Sequence, residues 1–175
     1  MKSAARALRK QGFEAVSVGQ VMKDAGLTHG GFYAHFASRE ALLVEALDSA
    51  SADGLASLQS GGGAELRGNA FEQLVAQYLS DAHLKHPETG CALAAVGCET
   101  RRQSRAVRNA ATERIKQMLA LIEARLCQSG DEGKERAMLV MSALVGALVI
   151  GRASNDSELS RQLRDAVARS VLANP

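Results

Sequence analysis

The side chains best suited to binding another molecule lie between residues 28 and 36. On a helical wheel of about 100° per residue, Phe32 and Phe36 fall together and can anchor a helix to a core. The opposite side carries only small residues, namely Gly30, Gly31 and Ala34. Each glycine in a helix costs about 1 kcal/mol relative to alanine. A helix has reason to keep such residues where its backbone must approach another surface closely.

This smooth strip suits the major groove of double-stranded DNA. There it would meet base edges, while the flanking Thr28, Tyr33 and His35 could reach phosphates. Arg39, which opens the next predicted helix, is placed to pair with a phosphate beside the N-terminal amides of that helix. The segment therefore predicts contacts to both bases and backbone.

Short helices must position this strip. We predict one helix over residues 2–10, and a second over about 18–25 with Ser17 as its cap, completed as a capping box by Gln20. Gly26 ends the second helix, and Thr28 and Ser38 can cap the third and fourth. The turn at residues 25–28 makes a helix-turn-helix. Spacing alone leaves an ordinary corner between two bundle helices as the alternative.

Composition indicates an all-α protein. Apolar residues make up 46% of the 175 residues, prolines number two and aromatic residues only 3%, which favours helices packed through aliphatic side chains. The net charge of +2 decides little, but the first 39 residues hold six Lys or Arg against two Asp or Glu. A basic N-terminal segment is consistent with phosphate contacts.

The order and spacing of these residues resemble the DNA-binding domain of the TetR family. The resemblance runs over roughly residues 4–48 and is carried by segments 12–18, 25–28, and 32–42 with its Tyr-Ala-His-Phe sequence, together with Gly30. It implies an all-helical homodimer on a palindromic operator, which releases the DNA for a small effector. We therefore divide the chain into a DNA-binding domain at 1–48, a helix end with a Gly-rich linker at 49–63, and a helical effector-binding and dimerisation domain at 64–175.

The resemblance also assigns roles by position. Ser17 and Thr28 correspond to phosphate-binding caps, and Tyr33, His35 and Arg39 to clamps on the DNA backbone. The start of the recognition helix facing the groove corresponds to His29, Gly30 and Gly31. Gly31 stands where the family often has Thr or Ser, so base specificity should rest largely on His29 and DNA shape. The family usually carries a further segment, an N-terminal arm, ahead of the first helix. We expect weaker DNA affinity if the start at Met1 is placed too late in the sequence or if the arm is missing.

The effector pocket is predicted among the helices of the second domain. Its candidate lining is Tyr78, Cys91, Met118 and Met141, which suit a small hydrophobic ligand. The alternative is that all four are plain core residues. Cys91 follows Pro87 and Gly90 at a predicted helix start, where a thiolate could sense an electrophile or oxidant; a buried, inert thiol is the alternative.

The last two predicted helices, about 131–153 and 157–173, are the candidates for dimer contact. The candidate interface residues are Val140, Leu144, Ala147, Leu148 and Leu163. Small residues nearby would allow close helix approach. The apolar stretch from Met138 to Ile150 is too short to span a bilayer and is expected to be buried. The alternative is that this helix is the central core of a single chain, and different faces could serve both purposes.

Other classes of function lack support in the sequence. No nucleophile-base set, phosphate loop or carboxylate pair indicates an enzyme, and we expect no catalytic residue and no cofactor. His83 and His86 lack metal-ligand spacing, and we expect them at the surface without a metal. The arginines between 101 and 114 are expected to be a solvated face, since Glu99 and Glu113 lie among them. Three cysteines without a disulfide framework favour the cytoplasm. A helical partner-binding protein without DNA binding is the remaining alternative.

Overall fold

The computed structural model describes residues 1–59, 68–126 and 128–173, with the backbone alone at position 29. Within these ranges the ordered elements are helices and turns, which confirms the all-α prediction. The helices are α1 (Lys2–Gln11), α2 (Val18–Asp24), α3 (Phe32–His35), α4 (Arg39–Gln59), α5 (Ala70–Tyr78), α6 (Asp81–Lys85), α7 (Ala92–Thr100), α8 (Arg105–Glu123), α9 (Gly130–Ala153) and α10 (Ser157–Leu172). The predicted linker residues 60–63 and Cys127 lie outside the described residues.

The chain divides into two compact units. Unit 1 comprises Met1–Gly54 and Pro87–Arg114, and unit 2 comprises Leu55–His86 and Ile115–Pro175. Each unit is therefore built from two separate stretches of sequence. The domain boundaries at residues 48 and 63 stay predictions about function.

Unit 1 has a continuous apolar core shared by both of its stretches. The N-terminal helices contribute Leu8, Phe13 and Phe32, all nearly inaccessible to solvent. The later stretch contributes Val96 from α7 and Val107 from α8 to the same cluster. Because the hydrophobic effect scales with the apolar area removed from water, the N-terminal helices depend on residues 87–114 for part of their stability.

The predicted helix ends of unit 1 are mostly confirmed. Ser17 Oγ accepts from the amide of Gln20 at 3.1 Å, and Ser38 Oγ accepts from the amide of Ala41 at 3.1 Å. The capping box is only half formed, because the Ser17 amide donates to Ala15 O at 3.0 Å and not to the Gln20 side chain, which itself donates to Asp24. The spacing also predicts that Ala25 faces inward, but Ala25 follows the end of α2 and is exposed.

Unit 2 differs from the sequence prediction at α5 and α6. The spacing of apolar residues from Phe71 onward predicts a single helix that ends near His86, but the helix breaks at Ser80. The backbone of Ser80 is extended, and its hydroxyl caps a new helix by accepting from the amide of His83 at 3.1 Å. Arg164 of α10 holds this break by donating to Leu79 O and to Asp81 Oδ1, both at 2.7 Å. The guanidinium also lowers the pKa of Asp81.

The longest helix, α9, packs lengthwise against α10. A side chain at Gly151 would meet Ser160 Oγ at 2.8 Å, so the two helices approach closely there. By length and composition alone α9 could cross a membrane. This differs from the expectation that its apolar stretch, Met138 to Ile150, is too short to span a bilayer. A core helix of a soluble protein passes the same test, and Val140, Leu144 and Leu148 are completely buried.

His83 is half-buried in unit 2 and packs against Tyr78, which differs from its expected place at the surface. Its ring lies edge-on to Tyr78 at 4.7 Å between centroids, and Nδ1 donates to Tyr78 O at 2.7 Å. Burial lowers the pKa of His83 from 6.5 to about 4, which keeps the ring neutral in the fold.

This burial predicts acid sensitivity of unit 2. Between pH 6.5 and pH 4 the unfolded chain binds a proton at His83 and the folded chain does not, so the free energy of unfolding falls as the pH drops. Between pH 7 and pH 4 the free energy of unfolding should fall by about 3 kcal/mol more in the wild type than in His83→Asn, as measured by denaturant unfolding. His86→Asn is the control and should keep the wild-type dependence. Equal pH dependence of wild type and His83→Asn would contradict this role.

Candidate nucleic-acid interface

The α2–α3 segment forms the predicted helix-turn-helix. Gly26 adopts φ +70°, a left-handed conformation that lets α2 end abruptly. Leu27 then donates its amide back to Met22 O at 2.8 Å, which fixes the turn. The following turn at His29–Gly31 is a 3₁₀ helix, and α3 adds only one α-helical turn.

Aromatic packing holds α3 against unit 1. Phe32 is buried to 2% exposure and stacks on Phe36 at 5.4 Å between ring centroids. Phe32 also meets the ring of Tyr33 edge-on at 5.2 Å. Tyr33 itself is 76% exposed, the most exposed of the large apolar side chains described. The buried phenylalanines therefore fix the helix while the tyrosine projects into solvent.

Of the predicted smooth strip, Gly30 in the 3₁₀ turn and Ala34 in α3 are exposed. A side chain at Gly30 would meet nothing within 4 Å, and its φ is not positive, so the fold itself does not require glycine there. Thr28, Ala34 and His35 are exposed beside it. The side chain of His29 lies outside what the structure describes.

Gly31 differs from its expected orientation. A side chain there would lie 3.6 Å from Met22 Cε and 3.7 Å from Thr28 Oγ1, which places it toward α2 and not on the outer strip. The reason is that the 3₁₀ turn has three residues per turn, so the helical wheel used for the prediction does not apply to residues 29–31. A methyl group at Gly31 would make ordinary van der Waals contacts there, so the fold does not require glycine at this position.

Arg39 is tied to the turn after α1. Its guanidinium donates to Phe13 O at 3.1 Å and lies 3.8 Å from the carboxylate of Glu14, with the side chain 43% exposed. This contact joins the start of α4 to the segment before α2. Its phosphate contact stays a prediction, as do those of Ser17, Thr28, Tyr33 and His35.

The sequence analysis missed Glu99 as a positioning residue. Glu99 of α7 accepts from the amide of Phe13 at 3.2 Å. Its carboxylate fills the space where a side chain at Gly12 would stand, 2.6 Å from that point. Because Gly12 has φ +86° and ψ −177°, a region open almost only to glycine, the turn can present Phe13 to Glu99. No local pattern signals a contact across 86 residues.

Arg9 is a second positioning residue that the sequence did not reveal. It is 6% exposed and donates to Ala50 O at 2.6 Å and to Glu88 O at 2.7 Å. Its guanidinium also lies 3.6 Å from the carboxylate of Asp53. Burial lowers the pKa of Arg9, an effect that Asp53 opposes. Arg9 therefore links α1 to the later part of α4 and to residue 88.

The candidate effector residues do not gather in one unit. Tyr78, Met118 and Met141 are buried in unit 2, whereas Cys91 is half-buried in unit 1 at the start of α7. Their role as a pocket stays a prediction. Among the described residues no group of three or more His, Cys, Asp or Glu could hold a metal ion.

The candidate dimer residues are mostly inside a single chain. Four of them are at most 4% exposed, namely Val140, Leu144, Ala147 and Leu148. Leu163 is half-buried. Core residues of one chain offer little surface to a partner, and a role of these five residues at a dimer interface stays a prediction.

Comparison with protein families matches both halves of the chain. A model of bacterial regulatory proteins of the tetR family covers residues 1–46, and one of the LmrA/YxaF-like transcriptional regulator C-terminal domain covers residues 68–166. The uncharacterized HTH-type transcriptional regulator YerO of Bacillus subtilis (strain 168) is 38% identical over 48 residues, which are 27% of this chain. The match spans only 17% of that curated relative.

Solved structures share the fold over nearly the whole chain. A TetR transcriptional regulator from Legionella pneumophila has a TM-score of 0.74 at 16% identity, covering 97% of this chain and 94% of its own. The reduced form of NemR from E. coli has a TM-score of 0.73 at 20% identity, covering 99% of this chain and 95% of its own. At these identities the similarity shows the fold alone.

Because the space around Gly30 is open, a larger side chain there should lower DNA affinity without lowering the free energy of unfolding. We expect Gly30→Gln to leave the free energy of unfolding within about 0.5 kcal/mol of wild type, because the new side chain meets no neighbour. DNA affinity, measured by fluorescence anisotropy, should fall at least about tenfold, since the side chain would hold the helix away from the bases. Gly97→Gln is the control, since Gly97 of α7 also faces open space. Equal affinity of both variants would contradict the assignment of this face.

Proposed function

Since the chain belongs to the TetR family of bacterial transcriptional regulators, we propose that it binds a palindromic operator as a homodimer and releases it for a small effector. Membership places it among transcriptional regulators and not among enzymes. The observation that carries the operator proposal is the exposed surface of α3 and the 3₁₀ turn before it, where Gly30 meets open space and Tyr33 is 76% exposed.

The chemistry of this face suits DNA. Base edges in the major groove require close approach of a helix, which a face without side chains at Gly30 and with only a methyl group at Ala34 permits. Tyr33 and His35 project hydrogen-bonding groups that can reach phosphates from either side of the strip. The buried Phe32 and the Arg39–Phe13 contact hold the face rigid, so little conformational entropy is lost on binding.

An exposed apolar stripe on α9 supports the homodimer. Leu139 and Ile150 are each 54% exposed and lie about three turns apart, so they share one side of the helix. Gly146 lies between them on this line, and a side chain there would meet nothing within 4 Å. Leu159 of α10 is a further exposed apolar residue of unit 2, at 46%. Two copies pairing through the stripe would bury these side chains and let the helices cross at Gly146.

This stripe predicts that charge on α9 breaks the dimer. In Leu139→Glu/Ile150→Glu, carboxylates would have to be buried without partners, so the chain should elute and scatter light with the mass of one copy. Operator affinity should then fall at least about 100-fold, because a single recognition helix spans only one half-site. Ile115→Glu is the control, since Ile115 is an exposed apolar residue of α8 in unit 2. A variant that keeps the mass of two copies would contradict the assignment.

The effector that we propose is a small hydrophobic molecule. The burial of Tyr78, Met118 and Met141 fits a lining of apolar and aromatic groups, and equally fits a plain core. Repression relieved by a small hydrophobic ligand is the arrangement we adopt, with the chain acting in the cytoplasm where it meets DNA.

The operator proposal is tested with the DNA that flanks the chain's own gene. Purified protein should bind one segment of this DNA in preference to random duplex of equal length, with affinity falling steeply as salt rises. Footprinting should then show two protected half-sites about one helical turn apart. Binding with no preference over random duplex at any salt concentration would contradict the proposal and favour a partner-binding protein.

A further inference from the structure

A cluster of four exposed arginines lies on unit 1 outside the helix-turn-helix. Arg101 and Arg102 occupy the turn between α7 and α8, and Arg105 and Arg108 lie in the first two turns of α8. We call these four residues the arginine cluster. The sequence from 100 to 112 holds no Asp or Glu. None of the four side chains forms an ion pair with another residue in the described part of the chain.

The structure removes a reason for treating these arginines as a solvated face. That interpretation relied on Glu99 and Glu113 to balance the charge. The carboxylate of Glu99 instead accepts from the amide of Phe13 at 3.2 Å and lies against Gly12. The Glu99 carboxylate is therefore held at the turn after α1 by this hydrogen bond. The four guanidinium groups of the cluster have no ion-pair partner among the described residues.

The position of the cluster works against the stability of α8. Arg105 is the first residue of the helix, where the helix dipole disfavours a cation, and the first turn carries no acidic residue to offset it. Elsewhere the chain pairs such charges, since Arg161 of α10 contacts Glu158 at 2.6 Å and Asp165 at 2.8 Å. A concentration of one sign of charge that the fold leaves unneutralised favours an anionic partner.

The backbone of Phe13 relates the start of the cluster to the start of α4. Its amide is held by Glu99, and its carbonyl accepts from Arg39 at 3.1 Å. The Glu99 carboxylate and the Arg39 guanidinium are thus at most about 10 Å apart, given the span of one residue's backbone. Arg101 follows Glu99 by two residues. The end of the cluster at Arg101 and Arg102 therefore lies near the start of α4, where Arg39 is one of the proposed phosphate contacts.

We infer that the arginine cluster binds the phosphate backbone of the same DNA, outside the segment reached from α2, α3 and the start of α4. The inference rests on the proposed function. DNA offers a regular row of phosphates, and guanidinium groups bind phosphate through paired hydrogen bonds. An acidic protein is the less suitable partner, because the described residues from 100 to 112 include no exposed large apolar side chain to form the centre of an interface.

The test compares two duplexes once base substitutions have defined the two half-sites that the protein reads. One duplex ends at the outer edges of the half-sites, and the other extends by about one helical turn on each side. The variants are Arg101→Gln/Arg102→Gln and Arg105→Gln/Arg108→Gln. The control Lys134→Gln/Arg169→Gln removes the same charge from exposed positions of unit 2. Arg101→Lys/Arg102→Lys retains the charge and tests whether charge alone is sufficient.

On the extended duplex each Gln variant should bind about tenfold more weakly near 0.1 M salt and lower the slope of log K against log salt by about two. The short duplex and the unit 2 control should show wild-type values, and the Lys variant should keep the wild-type slope. Thermal unfolding should show no loss of stability in the Arg105→Gln/Arg108→Gln variant, which excludes misfolding as the cause.

An unchanged slope for both Gln variants on the extended duplex would overturn the inference. In that case wild-type selectivity for its operator would still support the proposed function. Equal losses on the short and extended duplexes would also overturn it, because they would place the contact within the operator. A wild-type protein with no preference for any DNA would contradict the proposed function itself, and this inference with it.

Discussion

The two hydrogen bonds on the backbone of Phe13 are the constraint on which unit 1 depends. Glu99 holds the amide and Arg39 holds the carbonyl, while the Phe13 side chain is completely buried in the core. Gly12 makes this arrangement accessible through a backbone conformation that other residues avoid. The start of α4 and the end of α7 are thereby fixed to one point. Only three residues, 36–38, separate α3 from Arg39, so this point also positions α3.

A consequence is that the DNA-binding part of the chain is larger than its N-terminal helices. Residues 87–114 supply core side chains, the carboxylate of Glu99 and the carbonyl that accepts from Arg9. They belong to the stretch matched by the C-terminal family model, yet they pack in the same unit as the helix-turn-helix. A displacement of α7 would therefore act directly on the turn before α2. This gives a physical route by which an event in the C-terminal sequence can alter the recognition helix.

Local signals allowed much of this architecture to be predicted from sequence. The caps at Ser17 and Ser38 and the stop at Gly26 depend on a few neighbouring residues, and all are found. The orientation of Gly31 was not predicted, because a 3₁₀ turn has three residues per turn and therefore a larger rotation between successive residues than an α-helix. The buried side of α9 was not distinguished from its exposed side, because that helix is apolar nearly all round. The Glu99–Phe13 contact could not be predicted, because it joins residues far apart in sequence and produces no periodic pattern of residue types.

Contact between DNA and the exposed surface of α3 can be observed by hydrogen–deuterium exchange of the full chain, with and without the segment of flanking DNA that it selects. Bound DNA slows exchange at the amides that it covers. We expect slower exchange in residues 17–39, with a second protected segment at 101–108. Protection confined to other segments, with unchanged exchange from 28 to 36, would show that α3 does not lie against DNA.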